Sequence, residues 1–174
     1  MSTRDFEELV AEGAAVPTDG WDFSWFEGRA TEARPSWGYA RAMAGRLARA
    51  RAALDIQTGG GEHVGPASVF ELVEFFLGPQ PEESRNARRP DRERADAEAA
   101  GLDVVGLRAE RLRMEFFDIG AVVHFLRKVV WMVPDFTVDA YLPRLRELHE
   151  RIERDGPFVA HSTRHLFEAR RPAR

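Results

Sequence analysis

The sequence contains no cysteine among its 174 residues. This absence excludes disulfide frameworks, cysteine-ligated zinc, iron–sulfur clusters and cysteine nucleophiles. A basic excess is missing too, because 25 Lys and Arg stand against 29 Asp and Glu and give a formal net charge of −4. Proteins that bind phosphate backbones usually carry such an excess, so we expect no nucleic-acid partner.

Long apolar runs are also absent. The longest apolar stretch, residues 119–133, is interrupted by His124, Arg127 and Lys128, whereas a membrane-spanning helix needs about 20 apolar residues. The N-terminus has neither the apolar core nor the small-residue cleavage site of a signal peptide. We therefore expect a cytoplasmic protein that makes no membrane contact.

What the sequence does contain is enough apolar material for a core, since 44% of the residues are hydrophobic and 31% are charged. The length and the alternation of helical and strand patterns predict one α/β domain over residues 1–174. We expect N-terminal helices, a first strand and a glycine loop in 1–62, a buried helix in 63–81, a charged linker with a short helix in 82–100, and C-terminal strands and helices in 101–174.

Capping residues and apolar spacing locate the individual elements. Five of the predicted helices are located in this way. The first covers 3–12, with Phe6, Leu9 and Val10 on its buried face; the second is capped by Ser36; and the third covers 68–77, with a Ser68–Glu71 capping box. The fourth is capped by Asp118 and has a buried stripe from Ile119 to Val130, and the fifth runs from Thr137 or Asp139 through Leu142, Leu145, Leu148 and Ile152 to Gly156. The predicted strands are 53–56, 102–107, 112–116, 158–160 and 165–169.

The strongest chemical signal is a glycine-rich segment directly after the predicted strand 53–56. It reads Leu54-Asp-Ile-Gln-Thr-Gly-Gly-Gly-Glu62. Successive glycines let the backbone turn tightly and approach a ligand, and the Asp55 carboxylate favours an uncharged or cationic ligand over a bare phosphate. No Gly-Lys-Ser/Thr follows, so the segment is not a Walker loop. A tight turn between two packed elements is the alternative interpretation.

This segment resembles motif I of the class I S-adenosylmethionine-dependent methyltransferases, Asp-x-Gly-x-Gly-x-Gly, with Gln57 at the first glycine. Further segments are similar to small bacterial members of the family: 34–41 to the N-terminal region, 63–68 to the end of the fifth strand, 116–134 to the insertion before the last strand, and 158–172 to the last strand. The resemblance implies a Rossmann-like fold with a reduced sheet flanked by helices, and S-adenosylmethionine held by Asp55, Gly59 and Gly61.

Compared with the family pattern, the central part of the domain is missing, because Glu62 is joined directly to His63. The resemblance implies methyl transfer to a small-molecule acceptor, impaired by this internal deletion, and it names no catalytic base. Strand 53–56 would pair with the closing strands of its own chain or with a second copy in a homodimer. The alternative is a non-catalytic remnant, which acts as an interaction module or is a fragmentary product.

The five histidines are the remaining candidates for chemistry. His161 and His165 share a strand face and could hold a metal between them, although the sequence offers no nearby carboxylate and we assign no metal site. His63 could serve as a general base beside the glycine segment. His124 and His149 are interpreted as structural. The aromatic run 21–26 is interpreted as core packing, with ligand contact as the alternative.

Overall fold

The chain forms an α/β structure in the computed structural model, which describes residues 5–20, 22–48, 69–82 and 90–172. The elements in these ranges are α1 (Phe6–Ala15), β1 (Ala30–Glu32), α2 (Tyr39–Leu47), α3 (Phe70–Leu77), α4 (Pro90–Ala99), β2 (Asp103–Phe116), α5 (Ile119–Lys128), α6 (Val138–Asp155) and β3 (Phe158–Arg170). The α/β class predicted from the sequence is confirmed. None of the helices in these ranges is long and apolar enough to cross a membrane.

The three strands form an antiparallel sheet in the order β1–β2–β3, so β2 is central. The short strand β1 pairs with the end of β2, with Ala30 opposite Phe116 and Glu32 opposite Met114. The alternation of Leu112, Met114 and Phe116 predicted for this end of β2 is confirmed, because all three side chains are buried. The predicted strand 53–56 lies outside the described residues.

The described residues fall into two compact units. The first comprises 5–20, 22–32, Val69–Gln80 and Arg113–His161, and the second comprises 33–48, 81–82, 90–112 and 162–172. The second unit is held at its surface by polar contacts, including Arg46 with Glu168 at 2.5 Å and Arg170 with Asp103 at 3.6 Å. Its helix α4 buries no residue, as the charged composition of 82–100 predicts.

The first unit contains a close crossing of α1 over α5. Helix α1 buries Phe6, Leu9 and Val10, as predicted, and also Gly13. A Cβ atom placed on Gly13 would lie 2.3 Å from the carbonyl oxygen of Gly120, and one placed on Gly120 would lie 2.5 Å from the carbonyl oxygen of Leu9. Two backbones can approach this closely only where both helices present glycine.

Two predicted helix caps are confirmed in this unit. The Asp118 carboxylate accepts a hydrogen bond of 2.8 Å from the N–H of Ala121, and the Thr137 hydroxyl accepts one of 3.2 Å from the N–H of Ala140. Each side chain satisfies a backbone donor that the first turn of a helix leaves without an intrahelical partner. These caps fix the starts of α5 and α6.

The predicted cap at Ser36 is wrong. Helix α2 begins at Tyr39 with Gly38 at its N-cap, in a left-handed conformation. The Ser36 hydroxyl donates instead to Glu110, whose other carboxylate oxygen accepts the Ser36 N–H at 2.9 Å. A partner on β2, distant in the sequence, therefore competes successfully with the local capping position.

The sequence predicts the ends of several elements less well. Helix α5 stops at Lys128, so Val130 is 61% exposed and does not continue the predicted buried stripe. Leu142, through which the last helix is predicted to run, is exposed on the first part of α6. The strands predicted separately over 102–107 and 112–116 fall on one continuous strand, β2, and those predicted over 158–160 and 165–169 fall on β3.

Candidate functional site

The residues predicted to bind the cofactor, Asp55, Gly59 and Gly61, lie outside the described residues, as does His63. The described residues begin again at Val69, immediately before α3. At the N-terminus of α3 the structure brings together the Glu71 carboxylate and the His161 imidazole.

The carboxylate of Glu71 contacts His161 through both of its oxygens. Its Oε1 atom lies 2.8 Å from Nδ1 of the imidazole, and its Oε2 atom accepts the backbone N–H of His161 at 3.1 Å. The two residues are 90 positions apart in the chain. The pair lies at the surface of the first unit, with 25% of the His161 side chain and 35% of the Glu71 side chain exposed.

The position of Glu71 follows from the way α3 meets β3. The N–H of Val69 donates to the carbonyl oxygen of His161 at 2.7 Å, so the start of α3 bonds to the main chain of β3. Val69 is fully buried and has φ 61° and ψ 31°. A β-branched residue rarely adopts this left-handed conformation, which costs on the order of 1–3 kcal/mol. The hydrogen bond and the burial of Val69 stabilise this conformation, which places Glu71 against His161.

The ionised Glu71 carboxylate determines the direction of the hydrogen bond between the two side chains. Burial acts to raise the pKa of Glu71, but hydrogen bonds from its own backbone N–H and from His161 outweigh it, so the pKa lies below the usual value of 4.5. The carboxylate is therefore ionised at neutral pH and can only accept hydrogen bonds. Nδ1 of His161 is therefore the donor in the 2.8 Å contact with Oε1 of Glu71.

Aromatic and cationic groups surround the same contact of α3 with β3. Phe75, one turn after Glu71, packs edge-on against Phe158 with their ring centroids 6.1 Å apart. The guanidinium of Arg144 lies 5.7 Å from the centroid of Phe75, and that of Arg151 lies 5.1 Å from the centroid of Phe158. Phe75 and Phe158 thus add an aromatic contact between α3 and β3, with one guanidinium group near each ring.

His124 is structural, as predicted from its apolar neighbours. It is buried against Trp25 and Phe26, at centroid distances of 5.1 and 5.0 Å. Burial, followed by the charges of Lys128 and Arg127, lowers the pKa of His124. Its Nδ1 atom is buried and has no hydrogen-bond partner among the described residues. These contacts support the packing interpretation for Trp25 and Phe26, whereas Phe23 is 41% exposed and does not pack into the core. Trp21 lies outside the described residues.

His161 and His165 each face a separate carboxylate. Nδ1 of His165 lies 3.4 Å from Glu93, which the structure assigns to the second unit, whereas His161 binds Glu71 in the first. Within the described ranges, no three metal-binding side chains come together. His149, the other histidine interpreted as structural, packs its ring against Phe6 at 5.4 Å.

The pairing of Glu71 with His161 is a contact that the sequence does not predict. The sequence predicts a capping box of Ser68 with Glu71, but Val69 is the N-cap of α3 and the Glu71 carboxylate contacts His161 on β3. Ser68 itself lies outside the described residues. A local motif cannot signal a contact between residues 90 positions apart, so only the fold could reveal it.

Comparison with known proteins provides no further constraint. No protein-family model, no curated protein and no solved structure matches the chain. Its function is therefore inferred from its own residues.

Proposed function

We propose that this protein is a shortened member of the class I S-adenosylmethionine-dependent methyltransferases, with a Rossmann-like fold whose sheet is reduced. The observation that carries the proposal is the segment 54–62, in which Asp55 is followed by Gly59 and Gly61 at the spacing of motif I. The described residues share the α/β class with this family, but their three-stranded sheet is antiparallel, so the Rossmann-like part of the proposal rests on the sequence.

The types of residue in this segment suit the cofactor. A carboxylate such as Asp55 accepts hydrogen bonds from hydroxyl and ammonium groups, both of which S-adenosylmethionine carries. Glycines allow a backbone to approach a ligand without interference from a Cβ atom. The cofactor supplies an electrophilic methyl group on a sulfonium, so the protein's main task is to align it with the acceptor.

We further propose that the acceptor is a small molecule and that the protein acts as a homodimer. An unpaired buried backbone N–H or C=O costs about 1–3 kcal/mol, so the strand predicted over 53–56 needs a neighbour. A second copy of the chain would supply one. Light scattering of the purified protein tests this point, since it distinguishes a dimer from a monomer of 19.7 kDa.

Calorimetric titration with S-adenosylhomocysteine tests the proposed cofactor site. We expect the wild type to bind with a Kd below about 100 μM, equivalent to about −5.5 kcal/mol. Asp55→Ala should abolish the heat of binding. Asp96→Ala, which removes an exposed carboxylate from α4, is the matched control and should bind like the wild type.

One result would overturn the proposal. If the folded wild-type protein releases no heat at millimolar ligand, it does not bind the cofactor product. The chain would then be the non-catalytic remnant considered as the alternative.

A further inference from the structure

A histidine of α5 holds residues 22–28, which we call the aromatic segment, through ring contacts within the first unit. The imidazole of His124 packs against Trp25 and Phe26, at centroid distances of 5.1 and 5.0 Å. His124 is 1% exposed, and its Nδ1 atom has no hydrogen-bond partner among the described residues. A proton added to this ring therefore places a charge in a buried contact with apolar rings, which is unfavourable.

The cations next to this contact also oppose a positive charge on His124. Burial first, and then the charges of Lys128 and Arg127 on the same helix, lower the pKa of His124. On the other side of the contact, the Arg29 guanidinium lies 4.1 Å from the centroid of Trp25. An imidazolium at this position would thus be a further cation among three that are already present.

The other charged groups on the elements packed against α5 have partners of their own. They form the pairs Arg29 with Glu12 and Asp118, Asp22 with the N–H of Ser24, Arg113 with Glu115, Arg146 with Glu7, and the ring of His149 with Phe6. These contacts do not include the ring of His124. The two charges that act on its pKa are both positive, so protonation gains no ion pair there.

We propose that His124 is the titrating group of a pH-dependent switch, in which protonation of its imidazole in mild acid releases the aromatic segment from α5 and exposes the rings of Trp25 and Phe26. The proton comes from solvent, and the switch needs no other reactant. It is independent of the cofactor site proposed for 54–62.

Both ends of the aromatic segment are held by bonds that do not involve His124. On one side, the guanidinium of Arg127 donates to the carbonyl oxygen of Val16 at 2.9 Å. On the other, the carbonyl oxygen of Arg29 accepts the N–H of Phe117 at 2.9 Å. Protonation therefore frees the segment between two fixed points, and the rest of the first unit keeps its fold.

The size of the effect follows from the difference in the pKa of His124 between the two states. A released and solvated imidazole has a pKa of about 6.5, and the pKa of the packed ring lies below this value. The released state therefore binds the proton more tightly and is favoured as the pH falls. The ratio of released to packed segment should rise by up to about 25-fold between pH 7 and pH 5.

Fluorine NMR of the protein labelled with 5-fluorotryptophan, assigned with Trp25→Phe, measures the release. We expect the Trp25 resonance to move towards the position of a solvated indole between pH 7 and pH 5, with a midpoint below pH 6.5. Trp131 is already 50% exposed and is the internal reference, whose resonance should move little. In the same sample, the Hε1 resonance of His124 should titrate with the same midpoint, while far-UV circular dichroism stays constant.

Two variants identify the titrating group. His124→Phe should keep Trp25 in its packed position down to pH 5. His149→Phe is the matched control, because His149 is in the same unit, also has a buried Nδ1 without a partner among the described residues, and packs on Phe6 instead. This control should retain the movement of the Trp25 resonance.

The proposal is overturned if the Trp25 resonance still moves in His124→Phe. It is also overturned if His124 of the wild type stays unprotonated at pH 5, or if it is protonated there and Trp25 keeps its packed position. Loss of the far-UV signal at the same midpoint would replace the local switch with global unfolding. The last three outcomes need only the wild-type protein, so they decide the matter even where a variant does not fold.

Discussion

The substitution Gly13→Ala tests the helix crossing that forms the core of the first unit. The added Cβ would lie 2.3 Å from the carbonyl oxygen of Gly120 and 2.9 Å from its carbonyl carbon. Both neighbours are backbone atoms of α5, so neither can rotate away as a side chain could. The overlap with the oxygen is about 1 Å, given normal contact distances of about 3.5 Å, and the two helices must separate to relieve it.

The expected magnitude follows from two opposing terms. Overpacking of a core costs about 1–3 kcal/mol, and this contact belongs at the upper end because it also lifts Phe6, Leu9 and Val10 from their buried positions. Alanine gains about 1 kcal/mol over glycine in helix propensity. We therefore expect Gly13→Ala to lower the free energy of unfolding by about 2 kcal/mol, or the Tm by about 4–8 °C for a chain of this size.

Urea unfolding at equilibrium, followed by circular dichroism, measures this change as a lower midpoint at unchanged m-value. Gly45→Ala is the matched control, because Gly45 lies in α2 and no described atom lies within 4 Å of its Cβ position. The control should be more stable than the wild type by about 0.5–1 kcal/mol. If Gly13→Ala is stabilised like Gly45→Ala, the close crossing of α1 and α5 is refuted.

Three further predictions concern the first unit. Glu71→Gln should reduce the free energy of unfolding by about 1 kcal/mol at pH 7 through loss of charge-assisted hydrogen bonds. Because the folded-state pKa of Glu71 lies below 4.5, the free energies of unfolding of wild type and variant should converge when acid unfolding is measured below pH 4.5. A difference that stays constant with pH would contradict this. His124→Phe should remove the buried Nδ1, which has no partner among the described residues, and stabilise the protein by about 1 kcal/mol. Since the folded-state pKa of His124 lies below 6.5, the extra stability of the variant should grow as urea unfolding is repeated from pH 7 towards pH 5. A pH-independent difference would refute the lowered pKa of His124. Asp118→Ala should lower stability by about 1 kcal/mol in the same urea assay through loss of the α5 cap, and an unchanged midpoint would show that the cap is dispensable.

Local signals in the sequence predict the elements of this fold well and their tertiary partners poorly. The apolar face of α1 and the caps at Asp118 and Thr137 depend on residues within one or two turns, and all are confirmed. The Ser36 prediction failed because Glu110, remote in the chain, offers the serine a charged acceptor. A serine in a loop carries no sign of such a competitor.

At the candidate site, too, the sequence indicates local features but not contacts between distant residues. The glycine segment is visible in the sequence because its spacing is local, and its assignment stays a prediction. Nothing in the sequence relates Glu71 to His161, and the pair depends on the bonding of α3 to β3 through the left-handed Val69. Sequence reasoning favours a right-handed or extended conformation for valine, so it could not place Glu71 beside the strand.

Hydrogen exchange measured by mass spectrometry, with and without 1 mM S-adenosylhomocysteine, tests the central claim most directly. The account predicts slower exchange in peptides that cover 53–62 when the ligand is present, and no such change in Asp55→Ala. Unchanged exchange in these peptides of the folded wild-type protein would contradict the assignment of the glycine segment as the cofactor site.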